Sequence, residues 1–326
     1  MIQRLSTTLR YKLRRVIAFL NGKGGVGKTS ICANTAGILA EAEYKTLVID
    51  LDKQGNQGRD LGYKDTEYDD QGEALFNALV LNKPLVPVKG IRPNLDVVPA
   101  GVERLELVAD ALAGRAMRNE DVSTLLAQKI AEIADQYDVI LIDCPPGDAV
   151  LQDQAIVASK WLVIPTQLDD ASLDGLKAIA RRVASSRTIN ESLQVLGVVI
   201  FAALKSATRV TAETRTKLEA IMGGSAPVFT STIRFAQSSA VTARARGQVA
   251  IELARDAEGE DRFAWKKALD RRAKGEAVDP SDTKPSTRIA DSATSLASDY
   301  LELTGEILNT LGEAERAEAT RTEAGA

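Results

Sequence analysis

Short, unbroken apolar runs alternate along the chain with longer stretches whose apolar positions recur every three or four residues. Val16–Leu20 is one such run, halted by Asn21-Gly22, and Thr46–Asp50 is another. Runs of this length bounded by turn residues read as strands buried on both faces. Further strands are predicted at Leu95–Pro99, Val139–Asp143, Trp161–Pro165 and Gln194–Phe201. The intervening stretches predict helices at Thr29–Glu43, Gln71–Leu81, Val122–Gln136, Ala149–Ala158, Ser172–Ser185 and Val210–Met222. Strands alternating with helices imply an α/β fold with a mostly parallel, doubly wound sheet.

The alternation fades near Leu253, so residues 1–254 are expected to form one domain. Residues 255–285 are a mixed-charge insertion or linker, with a short helix expected around Arg262–Lys274. From 286 to 312, Ile289, Ala293, Leu296, Tyr300, Leu303, Ile307 and Leu311 recur at steps of three and four, the stripe of a helix packed on the domain. Residues 313–326, rich in Ala and Glu, are expected to be disordered.

Composition narrows the chemistry. The 326 residues are 44% hydrophobic, enough for a sizeable core, and only 4% aromatic, so that core must be built mainly of Ala, Val, Leu and Ile. There is no histidine, which removes His-based acid–base catalysis and His metal ligands. Two cysteines, Cys32 and Cys144, are too few for a disulfide framework or a zinc site. The basic segment Met1–Arg15 lacks the apolar centre of a signal peptide, and no stretch approaches the roughly 18 apolar residues of a membrane span. A cytoplasmic protein is expected. The net charge of −4 means that any nucleic-acid contact must come from a local patch.

Between the first strand and first helix lies Gly22-Lys23-Gly24-Gly25-Val26-Gly27-Lys28-Thr29, followed by Ser30. It satisfies G-x-x-x-x-G-K-[ST] in the strand–loop–helix setting that gives the motif its meaning. Glycines let backbone N–H groups approach phosphate oxygens, and the helix N-terminus presents its positive end to the same anion. Lys28 is expected to neutralise β- and γ-phosphates, and the Thr29 hydroxyl to bind Mg²⁺. ATP and Mg²⁺ are the implied cofactors. Lys23 is not required by this motif. It could fold back on its own phosphates, stand in solvent, or reach a nucleotide held by a second subunit.

The run Lys23–Thr29 resembles the deviant phosphate loop of the ParA/MinD ATPases. The resemblance implies that Lys23 crosses a homodimer interface to the partner's ATP, in the manner of an arginine finger supplied in trans. Asp50-Leu51-Asp52-Lys53-Gln54-Gly55-Asn56 is similar to the family's D-x-D-P-Q-G-N, with Lys53 in place of proline. Asp50 and Asp52 are two residues apart, so an extended chain sends both carboxylates to one side. Asp52 is the candidate for orienting the attacking water, with Asp50 supporting the metal. Asp138–Gly147 is close to the family's D-x-I-I-I-D-x-P-P, which places Asp143 on the cation or on Thr29 and makes Pro145-Pro146 a rigid switch.

The resemblance extends through Ile251, about three quarters of the chain. It implies a partition ATPase of the short ParA type, without an N-terminal helix-turn-helix, whose ATP dimer binds nonspecific DNA on the nucleoid. A ParB-like centromere-binding partner would stimulate its weak hydrolysis. Arg209, Arg215, Lys217, Arg234, Arg244 and Arg246 are the candidate phosphate contacts, with Lys266, Lys267, Arg271 and Arg272 a further set. From Ser286 onward acids outnumber bases, the wrong sign for anionic lipid, so no membrane role is expected. Two alternatives share this machinery: positioning of a protein cargo, such as a microcompartment or chemoreceptor array, and ATP-dependent filament formation on DNA.

Overall fold

The computed structural model describes residues 3–204, 208–224, 226–259, 271, 274, 276 and 287–324. Eight strands form one sheet: β1 (Val16–Phe19), β2 (Thr46–Asp50), β3 (Val88–Arg92), β4 (Leu95–Val98), β5 (Val139–Asp143), β6 (Trp161–Thr166), β7 (Gln194–Ala203) and β8 (Val228–Arg234). Their order across the sheet is β3-β4-β2-β5-β1-β6-β7-β8. All neighbouring pairs are parallel except the β3–β4 hairpin.

Side chains of each central strand alternate between two separate cores, as the period of two requires. On β1, Val16 and Ala18 face one side with Leu47, Ile49, Ile140 and Ile142. Ile17 and Phe19 face the other with Val48, Val139 and Leu141. The first side is covered by α4 (Glu73–Leu79), α5 (Val102–Met117), α6 (Leu125–Ile133), α7 (Ala149–Ala158) and α8 (Asp170–Ser186). The second is covered by α2 (Lys28–Glu41), α10 (Gln237–Arg246), α11 (Ala250–Gly259) and α12 (Thr287–Ala324). Short helices α1 (Thr7–Lys12) and α3 (Asn56–Asp60), with α9 (Thr208–Met222) before β8, complete the chain. This is the doubly wound, mostly parallel α/β architecture read from the sequence.

The sequence reading assigns no element to α1, α3, β3, α5, β8, α10 or α11. β3 and β8 are the two edge strands, and their burial is broken by exposed polar positions, so neither shows an unbroken apolar run. Helix α5 buries only Leu105, Val108 and Leu112 on a single stripe.

Helix α12 differs from expectation in its length. It runs through the segment expected to be a disordered tail and continues to Ala324. Its stripe, Ala293, Leu296, Ala297, Tyr300, Leu303, Ile307 and Leu311, is buried against the second core. Beyond Gly312 two acids hold it down: Glu315 pairs with Arg15 at 3.0 Å, and Glu318 accepts hydrogen bonds from Lys160 and from Gln194 (2.9 Å). Arg15, Lys160 and Gln194 stand at the entries of β1, β6 and β7, so the far end of α12 crosses the N-terminal edge of the sheet. The short helix expected around Arg262–Lys274 lies almost wholly outside the described residues.

Candidate functional site

In a parallel sheet with helices on both faces, ligands collect at the carboxyl ends of the strands where the chain order reverses. Here that point is β1, flanked by β5 and β6, and the loop 21–29 springs from its end. Two residues in this loop take the left-handed backbone region, Gly25 (φ 76°) and Gly27 (φ 89°). A Cβ at Gly27 would lie 2.3 Å from the Phe201 ring, so glycine is the residue that fits as the cap of α2. Asn21, fully buried, donates to the Pro165 carbonyl at 2.7 Å and accepts from the Lys23 N–H at 2.9 Å. Gln167 donates to the Gly25 carbonyl at 3.0 Å. The loop is therefore tied to the end of β6 at both flanks.

Lys28 lies inside this arch, 5% exposed, and its ammonium donates to the Lys23 carbonyl at 2.9 Å. Burial lowers its pKa, while the neighbouring Asp143 and Asp52 oppose the shift. Strands β2 and β5 place Asp50 and Asp143 in direct register at their last residues, both fully buried. One Asp50 oxygen accepts the Asp52 N–H at 2.9 Å; its other oxygen, and both oxygens of Asp143, have no hydrogen-bond partner. Burial, and for Asp50 the adjacent Asp143, raises both pKa values. That of Asp143 is pushed up to about 7, the nearby Thr29 hydroxyl opposing the rise.

Buried carboxylate oxygens without partners are costly unless a ligand completes them. No group of three or more His, Cys, Asp or Glu comes together to hold a metal among the described residues. A divalent cation here would have to share its coordination with a phosphate, which is the role open to Thr29, Asp50 and Asp143 beside a phosphate loop. The residues present fit Mg²⁺ bound together with a nucleoside triphosphate.

Asp52 is also buried, and with Lys28 and Thr29 it lines the pocket beside the phosphate loop. Its carboxylate accepts the Gln54 N–H at 3.0 Å, and its carbonyl accepts the Gly55 N–H at 2.8 Å. Together with the Asp50–Asp52 bond these side-chain turns brace the segment where the resembled family has proline. Lys53 itself points away to Glu106, 3.4 Å off.

The pocket, about 560 Å³, runs from Gly24, Lys28 and Ser30 to the end of β7 at Phe201-Ala202 and the β8–α10 turn at Phe235. Its size suits a nucleotide. A larger groove of about 780 Å³ between α5, α7 and α8 contains none of these residues.

The predicted DNA contacts do not form one free patch. Arg215 donates to the carbonyls of Val228 (3.3 Å), Phe229 and Thr230 (3.0 Å), holding the edge strand. Arg234 grips Asp299 of α12 with two bonds of 2.7 and 2.6 Å. Arg244 bonds Asp60 at 2.5 Å, and Asp60 also accepts the Ser30 hydroxyl at 3.3 Å. All three therefore have partners within the subunit. Arg209, paired along α9 with Glu213 at 2.8 Å, and Lys217 and Arg246 are exposed. Arg271 pairs with Glu276 at 2.6 Å; Lys266, Lys267 and Arg272 lie outside the described residues.

Sequence reasoning missed Asn21, Asp60, Gln167 and Asp169. Only Asn21 carried a local signal, as the polar residue closing the first apolar run. Asp169 accepts from the Lys23 ammonium at 2.6 Å across 146 residues of chain.

Comparison with known proteins places this geometry. An AAA domain family (AAA_31) matches residues 14–195. The chain is 35% identical over 208 residues to the cell division protein PomZ of Myxococcus xanthus, covering 61% of this chain and 62% of that one. It is 32% identical over 188 residues to the chromosome-partitioning ATPase Soj of Treponema pallidum, covering 56% of this chain and 70% of that one. The aligned region thus spans just under two thirds of PomZ. Among solved structures, the ATP complex of a Cyanothece McdA variant superposes with a TM-score of 0.62 at 19% identity, covering 73% of this chain and 90% of that one, a likeness of fold.

Proposed function

The chain belongs to the ParA/MinD superfamily of P-loop ATPases, and from that premise we propose that it is a ParA-type partition ATPase whose Mg-ATP dimer binds DNA without sequence preference. The observation that carries the catalytic half is the pair of buried carboxylates, Asp50 and Asp143, three of whose four oxygens lack a hydrogen-bond partner, set beside Lys28 and Thr29. Such a pair is stable as carboxylate only when a cation completes it.

In this reading the glycine loop binds the triphosphate, and Lys28 shifts from the Lys23 carbonyl to the β- and γ-phosphates. Thr29, Asp50 and Asp143 would hold Mg²⁺, which would supply positive charge to the phosphates. Asp52, which lines the pocket with Lys28 and Thr29, orients the attacking water. Lys23 reaches the partner subunit's nucleotide and supplies positive charge to the transition state. Intrinsic turnover is weak, and a ParB-like protein accelerates it and releases the dimer from DNA. The exposed Arg209, Lys217 and Arg246 contribute the phosphate contacts. The protein works in the cytoplasm, on the nucleoid.

The test is retention on unrelated duplex DNA with ATP, with ADP and without nucleotide, at two salt concentrations. ATP-dependent, salt-sensitive retention is expected. Retention that ignores the nucleotide would defeat the proposal.

A further inference from the structure

Lys23 sits in a run of glycines, Gly22-Lys23-Gly24-Gly25, whose backbone leaves its side chain a wide choice of directions. Its main chain is fixed at both ends, the N–H on Asn21 and the carbonyl on the Lys28 ammonium. Its own ammonium turns to Asp169 at 2.6 Å. Asp169 ends the loop between β6 and α8, and the end of β6 together with that loop meets the phosphate loop at three points: Pro165 with Asn21, Gln167 with Gly25, and Asp169 with Lys23. The first two contacts fix the distance between the loops, so the carboxylate of Asp169 is held where the Lys23 ammonium can find it.

We infer that Asp169 is a positioning residue which seats Lys23 within its own subunit and sets how readily that lysine crosses to a second copy of this chain. The inference rests on the trans role of Lys23 proposed above. A lysine that serves two subunits must leave one anion to reach another. Asp169 is the anion in the isolated chain, and the partner's triphosphate, with its greater charge, is the competing one.

The strength of the seat follows from its exposure. The two side chains are 36% and 41% exposed, so water and salt weaken the attraction. Exposed pairs of this kind are worth up to about a fivefold change in an equilibrium. Closing a symmetric dimer breaks two of them, so removing both carboxylates would tighten association by up to about 25-fold. The effect would shrink as salt screens the pair, because the Debye length falls to about 3 Å at 1 M.

Sedimentation of wild type, Lys23→Gln, Asp169→Asn and the double variant, over a range of protein concentrations with saturating Mg-ATPγS, tests this. Asp169→Asn is expected to dimerise at about 2- to 25-fold lower concentration than wild type at low salt, with the gain largely lost at about 1 M salt. In the Lys23→Gln background the same substitution should change nothing. Asp169→Glu, which keeps the carboxylate, should stay near wild type. Equal or weaker dimerisation of Asp169→Asn, or a gain that persists without Lys23, overturns the role of Asp169 while leaving the trans lysine standing. A wild-type chain that remains monomeric with Mg-ATPγS, or Lys23→Gln dimers as tight as wild type, removes the trans reading itself and this one with it.

Discussion

Replacing Asp143 with asparagine isolates the energetic consequence of burying two carboxyls side by side at the ends of adjacent strands. In the nucleotide-free chain burial pushes the Asp143 carboxyl up to about 7 from an ordinary value of 3.8. The folded chain therefore retains a proton that the unfolded chain has already released between about pH 4 and 7. Stability is greatest, as far as this group is concerned, below about pH 4; it falls as pH rises through that window and levels off above about 7. A shift of about three units corresponds to about 4 kcal/mol at the plateau, an upper figure because Asp50 shares the burden. Asparagine fills the same volume without an ionisable proton. Urea unfolding of both proteins without nucleotide, at pH 5, 6, 7 and 8, should show Asp143→Asn gaining on wild type by about 1 kcal/mol per pH unit up to pH 7 and no further. Mg-ATP should then stabilise wild type far more than the variant, because a bound cation favours the ionised carboxylate. If the difference between the two proteins were the same at pH 5 and pH 7, the carboxyl would not be strained by burial, and its role as a cation ligand would lose its physical basis.

Three other outcomes follow from the same structure. Asp52→Asn keeps the acceptor for the Gln54 N–H, so the turn should survive while phosphate release falls by about 100-fold or more, with ATP-dependent dimers and DNA retention intact; unchanged turnover would assign the water to another group. Leu303→Ala, at a fully buried position where α12 meets the second core, should lower unfolding free energy by about 2–5 kcal/mol in urea, whereas a loss under about 1 kcal/mol would mean that α12 is not integral to the domain. Reversing Arg209 and Lys217 to Glu should weaken DNA retention and leave unfolding unaltered, but Arg215→Glu should lower stability because it releases the carbonyls of β8.

What could be read from the sequence was what depends on near neighbours. A short, largely β-branched apolar run between turn residues has too few residues for a helix and fits a buried strand, and β2 and β5 fall on the residues predicted. Helix α7 does as well, since Ala149–Ala158 combines strong helix formers with an Asp148 cap that accepts the Leu151 N–H. The phosphate loop was legible because its chemistry demands glycines at fixed spacing. Edge strands were not, since half of each faces water and nothing local separates it from loop. Nor were the partners of charged groups. Nothing near residue 234 announces that its guanidinium will meet Asp299, and nothing near residue 23 announces Asp169; the register of the folded sheet decides both.

This distinction between a charge and its partner bears on how DNA can be held by a chain of net charge −4. The acid-rich last helix engages the basic groups that composition alone would have offered to phosphate: Arg15, Lys160 and Arg234 each meet an acid of α12, and Arg244 meets Asp60. Among the described residues, the first candidate set leaves Arg209, Lys217 and Arg246 exposed outside these pairs, about three per subunit, too few for useful affinity at physiological salt. Closing a dimer doubles the count on one rigid body, and the second set binds at high effective concentration. The logarithm of affinity falls with the logarithm of salt by about 0.9 per phosphate contact, so a single subunit should give a slope of about −3 and the ATP dimer about −5. Fluorescence anisotropy of labelled duplex between about 50 and 200 mM salt measures both. A slope that stays the same with ADP and with ATP, while affinity rises, would mean that nucleotide alters the DNA surface within one subunit, and that pairing of subunits is not what gathers the charge.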